Sequence, residues 1–205
     1  MHHPGTNNKV YKKINENFDW SNENFKKISE IIKKYPSSRI QSAVIPLLDL
    51  AQRQNRGWLS KNSLEKVAET LSMSYIRVLE VATFYSMFNL EPIGKNFVQI
   101  CTTTSCWLRG SDDILEVCKK HLNINNNQTT KDGLFTLKEV ECLGACVNAP
   151  MVQINDNYYE DLDEKSTIKI LDSLIENKPL KPGSYRDRKN TAPEKLKPSN
   201  GEKHA

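Results

Sequence analysis

The stretch CTTTSC at residues 101–106 and the stretch CLGAC at residues 142–146 hold four of the five cysteines of this chain. Each stretch follows a run with the apolar pattern of a β-strand, Phe97–Ile100 before the first and Phe135–Glu141 before the second. Four thiolates that converge are sufficient to hold a [2Fe–2S] cluster. The fold of the chain determines whether the two stretches meet. Whether they meet determines the chemistry to be expected.

A helical pattern separates the two predicted strands. Residues Ser111–His121 have the apolar spacing of a helix, with acidic residues in its first turn. A strand, a helix and a second strand in one sheet normally form a right-handed parallel βαβ unit. Parallel strands end at the same edge of a sheet, so the sequence predicts that the two cysteine pairs meet there. Gly144 permits a tight turn in which backbone N–H groups face sulfur.

The cysteine spacing alone leaves several kinds of site open. A thiol–disulfide enzyme is disfavoured because the sequence has no C-x-x-C motif. A Rieske centre needs two histidines, and His121 is the one histidine outside the two ends of the chain. Structural zinc sites commonly use C-x₂₋₄-C pairs, which does not exclude the spacing found here. A [2Fe–2S] cluster, a zinc site and unligated thiols therefore remain as interpretations.

Amphipathic helices are predicted before the first cysteine pair. Four segments with helical apolar spacing and short connections indicate a small bundle: Ser21–Tyr35, Ile40–Ala51, Lys61–Leu71 and Ser74–Tyr85. Ser60 is a predicted N-cap, and Pro46 is expected to kink the second helix. After the second cysteine pair, a strand hairpin is predicted at Met151–Glu160, and a last helix runs from Asp163 to Ile175.

The predicted fold class is α/β, with a helical bundle followed by an α/β domain. The predicted divisions are a polar N-terminal extension, the helical bundle, the α/β domain and a basic, proline-rich tail, at residues 1–20, 21–92, 95–176 and 177–205. The net charge of +4 is concentrated in that tail, which has eight Lys/Arg and three Asp/Glu. The rest of the chain is close to neutral, so no nucleic-acid partner is expected.

Composition also limits the function. No segment approaches the roughly 20 apolar residues of a membrane span, so direct membrane insertion is not expected. Clustered cysteines in an odd number favour ligand chemistry in a reducing compartment. The sequence has no phosphate-binding glycine motif and no constellation of catalytic residues. Cys118, on the apolar side of the Ser111–His121 helix, is predicted to be a buried structural thiol.

Two separate motifs resemble one known family. The residues that carry the resemblance are Asp132, Phe135, Thr136, the stretch Cys142–Cys146, Ala149-Pro150, and the stretch VATFYSMF at residues 81–88. They are similar to the thioredoxin-like [2Fe–2S] subunit of NADH:quinone oxidoreductase, the respiratory complex I. The resemblance extends from about Ile28 to Pro182, and it includes both cysteine spacings.

The resemblance implies a thioredoxin-like domain that carries one [2Fe–2S] cluster. Cys101 and Cys106 would hold one iron, and Cys142 and Cys146 the other. By the resemblance, the partner would be the flavoprotein subunit, which would bind FMN and NADH and pass an electron to the cluster. Other subunits of the peripheral arm are further partners. The chain is then part of an enzyme without a complete active site of its own.

The same resemblance implies a cellular location, and two alternative functions remain. The expected place is the cytoplasmic side of a bacterial inner membrane as a peripheral subunit, or the matrix side if the chain is a trimmed mitochondrial form. The related alternative is a diaphorase subunit of an NAD-linked hydrogenase or formate dehydrogenase. The alternative of another class is a structural subunit stabilised by zinc.

Overall fold

The computed structural model of the protein describes residues 17–189 and 191. Most of the predicted N-terminal extension at residues 1–20 and the end of the predicted tail lie outside the described residues. The chain divides into two units between Ile93 and Gly94. Among the described residues, no helix is both long enough and apolar enough to cross a membrane.

The first unit is helical, as the sequence predicts. Its elements are α1 (Asn22–Ile32), a 3₁₀ helix (Ser37–Ala43), α2 (Val44–Gln54), α3 (Lys61–Thr70) and α4 (Tyr75–Phe84). Ser60 accepts a hydrogen bond from the Ser63 amide at the start of α3, which confirms the predicted N-cap. The apolar faces of the helices bury a common core that includes Leu47, Leu64 and Leu71.

The predicted kink at Pro46 is wrong. The helix α2 begins at Val44, so Pro46 lies in its first turn. A proline there costs no helical hydrogen bond, since the first backbone N–H groups of a helix have no partner within it. The break lies earlier, in the 3₁₀ helix, where Arg39 has non-helical backbone angles.

The second unit is a mixed sheet with helices. Its strands are β1 (Asn96–Cys101), β2 (Gln128–Thr129), β3 (Phe135–Val140), β4 (Val152–Ile154), β5 (Asn157–Glu160) and β6 (Gly183–Ser184). They lie in the order β2-β3-β1-β4-β5-β6. The helices are α5 (Thr104–Leu108), α6 (Ser111–Leu122) and α7 (Glu164–Ile175), and a 3₁₀ turn spans Cys146–Asn148.

The strands β1 and β3 are parallel, which confirms the βαβ prediction. Their register runs from Asn96 opposite Phe135 to Cys101 opposite Val140. Cys142 follows two residues after the end of β3, so the two cysteine stretches leave the sheet at the same edge. The sheet core joins Val98, Ile100, Phe135 and Leu137 with the apolar sides of α6 and α7.

Four short elements have no counterpart in the predictions. They are α5, β2, the 3₁₀ turn Cys146–Asn148 and β6. The strand β6 lies within residues 177–205, which the sequence indicates as a non-periodic tail, yet it pairs in parallel with β5. A two-residue strand is too short to show a hydrophobic period, and its pairing is set by contacts with distant residues.

Candidate metal centre

The four predicted ligands lie at one edge of the sheet. Cys101 is the last residue of β1, and Cys106 lies in α5 immediately after it; both are buried. Cys142 follows β3, and Cys146 begins the 3₁₀ turn; both are exposed. The site therefore has a buried half and an exposed half.

The structure brings the four thiols within interaction range. The Sγ atoms of Cys142 and Cys146 are 3.4 Å apart, and the Gly144 N–H donates to Cys142 Sγ over 3.4 Å. The thiols of Cys106 and Cys101 also interact with each other, within the buried half. Cys142 also interacts with Cys101, which joins the two cysteine stretches. The predicted convergence of the two stretches is thus present in the fold.

The thiol pKa is shifted in opposite directions in the two halves of the site. Burial raises the pKa of Cys106 to about 12, and the neighbouring Cys101 adds to the increase. The Gly144 N–H lowers the pKa of Cys142, with a further contribution from the Cys146 thiol. Metal ligands must be thiolates, so a metal held by Cys106 would have to displace the proton that burial favours on this thiol.

The donor set suits a [2Fe–2S] cluster, in which two thiolates ligate each iron. Across the described ranges, 17–189 and 191, no three or more His, Cys, Asp or Glu side chains are grouped to hold one metal ion. The thiols form two neighbouring pairs instead, Cys101 with Cys106 and Cys142 with Cys146.

Apolar side chains pack around the buried cysteines. Cys101 and Cys106 pack with Ala145, Ala149 and Met151 in a separate buried cluster. This packing shields the inner half of the site from water. It also couples the second stretch to the first, since the two alanines come after β3, whereas Cys101 ends β1 and Cys106 comes after it.

The Tyr158 hydroxyl donates to the Leu143 carbonyl over 2.7 Å. It thereby holds the first part of the second cysteine stretch against β5. Burial raises the pKa of Tyr158, as does the negative charge of Cys142. The sequence pattern places Tyr158 in a strand hairpin but does not predict this contact, because β5 and the cysteine stretch are joined only in the folded sheet.

Large exposed apolar side chains come after one cysteine of each pair in the sequence. Trp107 and Leu108, the two residues after Cys106, are 56% and 70% exposed, and Val147, the residue after Cys146, is 76% exposed. We refer to these three residues as the apolar rim. Contiguous exposed apolar patches are a common feature of surfaces that bind partner proteins.

Cys118 is separate from this site. It is fully buried among the apolar side chains of α6 and the sheet, and burial raises its pKa to about 12. The predicted burial of this thiol is confirmed.

Comparison with known proteins agrees with this geometry. Residues 28–175 match the family model described as thioredoxin-like [2Fe-2S] ferredoxin. The chain is 57% identical over 164 residues to the E subunit of NADH-quinone oxidoreductase from Rickettsia typhi, and the alignment covers 80% of this chain and 96% of that protein. It is 56% identical over 172 residues to the mitochondrial NADH dehydrogenase [ubiquinone] flavoprotein 2 of Dictyostelium discoideum, with 84% of this chain and 70% of that protein covered.

A solved structure shares the fold at low sequence identity. The NAD⁺-reducing [NiFe]-hydrogenase in its air-oxidized state aligns with a TM-score of 0.57 and 20% identity, over 64% of this chain and 23% of the hydrogenase chain. At that identity the likeness concerns the fold alone. The family match and the high identity to the Rickettsia protein along most of the chain place this protein in the thioredoxin-like [2Fe-2S] ferredoxin family.

Proposed function

We propose that this chain is the [2Fe–2S] electron-transfer subunit of an NADH-quinone oxidoreductase, the respiratory complex I. The observation that carries the proposal is the meeting of four cysteines at one edge of a thioredoxin-like sheet. The identity of 57% to the Rickettsia typhi protein, over nearly all of its length, supports the assignment to this complex. The likeness to the hydrogenase, at 20% identity, gives a diaphorase role no comparable support.

In this proposal Cys101 and Cys106 hold one iron, and Cys142 and Cys146 hold the other. When bound, the cluster supplies reversible one-electron storage. The chain sets the surroundings of that electron. The Gly144 N–H, which donates to Cys142 Sγ, stabilises negative charge on the ligand. Cys101 and Cys106 are buried, so water does not reach this half of the site.

FMN and NADH belong to a flavoprotein partner in this proposal. A flavin on that partner would supply single electrons to the cluster that the four cysteines of this chain would hold. The exposed half of the site, with Cys142 and Cys146, is the face through which an electron enters. The apolar rim supports this orientation, since its three side chains expose apolar area that a docked partner would cover. Other subunits of the peripheral arm complete the surroundings of the chain.

The proposed location follows from the proposed complex. The chain is a peripheral subunit on the cytoplasmic side of a bacterial inner membrane, or on the matrix side in a mitochondrial form. The subunits that co-purify with the tagged chain from its native cells test this assignment. Recovery with a quinone reductase supports complex I, and recovery with a hydrogenase or formate dehydrogenase overturns it.

Truncation of the most prominent rim residue is expected to weaken docking. Trp107→Ala removes a large, half-exposed aromatic group beside Cys106. Buried interface tryptophans typically contribute about 2 kcal/mol or more, so we expect the Kd for the flavoprotein to rise by about 30-fold. The measurement is a binding titration of the full chain, loaded with its cluster, against the purified flavoprotein.

Ile175→Ala is the matched control for this titration. Ile175 is also about half exposed and apolar, but it ends α7 and lies outside the cysteine stretches. Its substitution should leave the Kd close to the wild-type value. Equal affinity of the Trp107 variant and the wild type would show that the apolar rim is not the docking face.

A further inference from the structure

The chain returns to the sheet after α7. We refer to residues 183–189 and 191 as the C-terminal strap. Its first two residues form β6, which pairs in parallel with the edge strand β5. The Tyr185 amide donates to the Glu160 carbonyl over 3.0 Å, which continues the contact beyond the strand. The strap is therefore built onto the end of β5, beside the metal centre.

Two buried carboxylates at the end of β5 bind the strap. Glu160 is fully buried and Asp161 is 2% exposed. Asp161 accepts hydrogen bonds from Ser184 Oγ at 2.6 Å and from Arg188 Nη1 at 3.0 Å. Glu160 accepts from the backbone amide and the hydroxyl of Thr191. Buried carboxylates are costly unless they are paired and hydrogen-bonded, so these partners hold the strap firmly in place.

The strap also contacts the second cysteine stretch directly. Arg188 Nη2 donates to the Val147 carbonyl over 3.0 Å, so one guanidinium joins Asp161 to the backbone that follows Cys146. The Asn148 side-chain amide donates to Glu160 over 2.6 Å and to the Lys189 carbonyl over 2.8 Å. The two residues after Cys146 are thus tied to the strap.

These contacts complement the one made by Tyr158. The Tyr158 hydroxyl holds Leu143, near the start of the stretch. The strap holds the other end, beyond Cys146, whose side chain is exposed. A fork of two N–H donors fixes direction as well as distance, which a single point charge does not.

We propose that Arg188 is a positioning residue for the metal centre: anchored on buried Asp161, it fixes the backbone at Val147 and so directs Cys146 Sγ toward the metal. The inference rests on the proposed function, because it takes Cys146 as a ligand. Without this anchor the Cys146 end of the stretch moves more freely. Metal then leaves faster from the exposed half of the site, and its ligand geometry changes.

The test compares Arg188→Ala with Arg186→Ala in the full chain loaded with iron and sulfide. Arg186 lies in the same exposed part of the strap, and its removal changes the net charge equally. Loss of groups that orient metal ligands typically changes metal affinity by about 10–100-fold, so we expect iron release to an excess of chelator to accelerate by about tenfold or more in Arg188→Ala. Its reduced EPR spectrum should also change in g values. Arg186→Ala should match the wild type in both measurements.

Arg188→Lys separates positioning from folding. Lysine keeps a positive charge opposite Asp161 but cannot supply two donors in the planar geometry of a guanidinium. We expect this variant to fold with the wild-type far-UV circular dichroism and still to release iron faster, with altered g values. Wild-type release and EPR in Arg188→Ala and Arg188→Lys would overturn the positioning role, as would equal changes in Arg186→Ala. Absence of iron and sulfide from the wild type, measured first, would instead overturn the proposed function.

Discussion

Replacing Cys142 by serine is expected to remove or alter the metal centre. Cys142 Sγ lies 3.4 Å from Cys146 Sγ and accepts from the Gly144 N–H, so it is central to the exposed half of the site. A [2Fe–2S] cluster needs a ligand at each of its four positions. Iron content should fall well below about two atoms per chain, and any remaining cluster should have changed g values after reduction.

Cys118→Ala is the control for this experiment. Cys118 is fully buried in the apolar contact between α6 and the sheet, away from the other thiols. Loss of its sulfur leaves a small cavity, which should lower the free energy of unfolding by about 1 kcal/mol. Its iron content and EPR spectrum should match the wild type. Loss of iron from this variant, with the fold intact, would contradict the ligand assignment.

Truncation of Phe135 is expected to have the largest effect on the stability of the second unit. Its side chain is 2% exposed and lies in β3, opposite Asn96 of β1. Removing a buried phenylalanine typically lowers the free energy of unfolding by about 3–5 kcal/mol. For a unit of this size, that loss corresponds to a fall in the melting temperature of more than about 10 °C. Visible absorbance of the bound cluster reports the unfolding of this unit during heating.

Phe84→Ala is the matched control, because Phe84 is 75% exposed at the end of α4. Its truncation should leave the melting temperature nearly unchanged. If Phe135→Ala also melts at the wild-type temperature, then β3 does not carry the core packing described for the second unit.

The sequence was sufficient to predict the parallel arrangement of β1 and β3. The strand patterns of Phe97–Ile100 and Phe135–Glu141 enclose one helix, and the handedness rule for such units leaves one common arrangement. Both cysteine stretches directly follow those strands, so their meeting at one edge also followed from local patterns. The buried position of Cys118 was predictable for the same reason, from the period of α6.

The support of the metal centre was not predictable in this way. Arg188 and Val147 are 41 positions apart, and nothing in the local pattern around either residue indicates their hydrogen bond. The strap has no hydrophobic period, so the sequence predicts a tail without regular structure there. In the structure the strap forms an edge strand, and buried carboxylates bind the strap. The kink predicted at Pro46 is absent because this proline lies in the first turn of α2. A proline is favourable there, whereas it disrupts the interior of a helix.

The iron–sulfur assignment is tested most directly by a metal and sulfide analysis of the full chain, purified without oxygen, together with EPR after reduction by dithionite. We expect iron and acid-labile sulfide in equal amounts, about two of each per chain, and an S = ½ signal from the reduced cluster. Stoichiometric zinc without sulfide, and no EPR signal after reduction, would show that the four cysteines hold a structural metal instead.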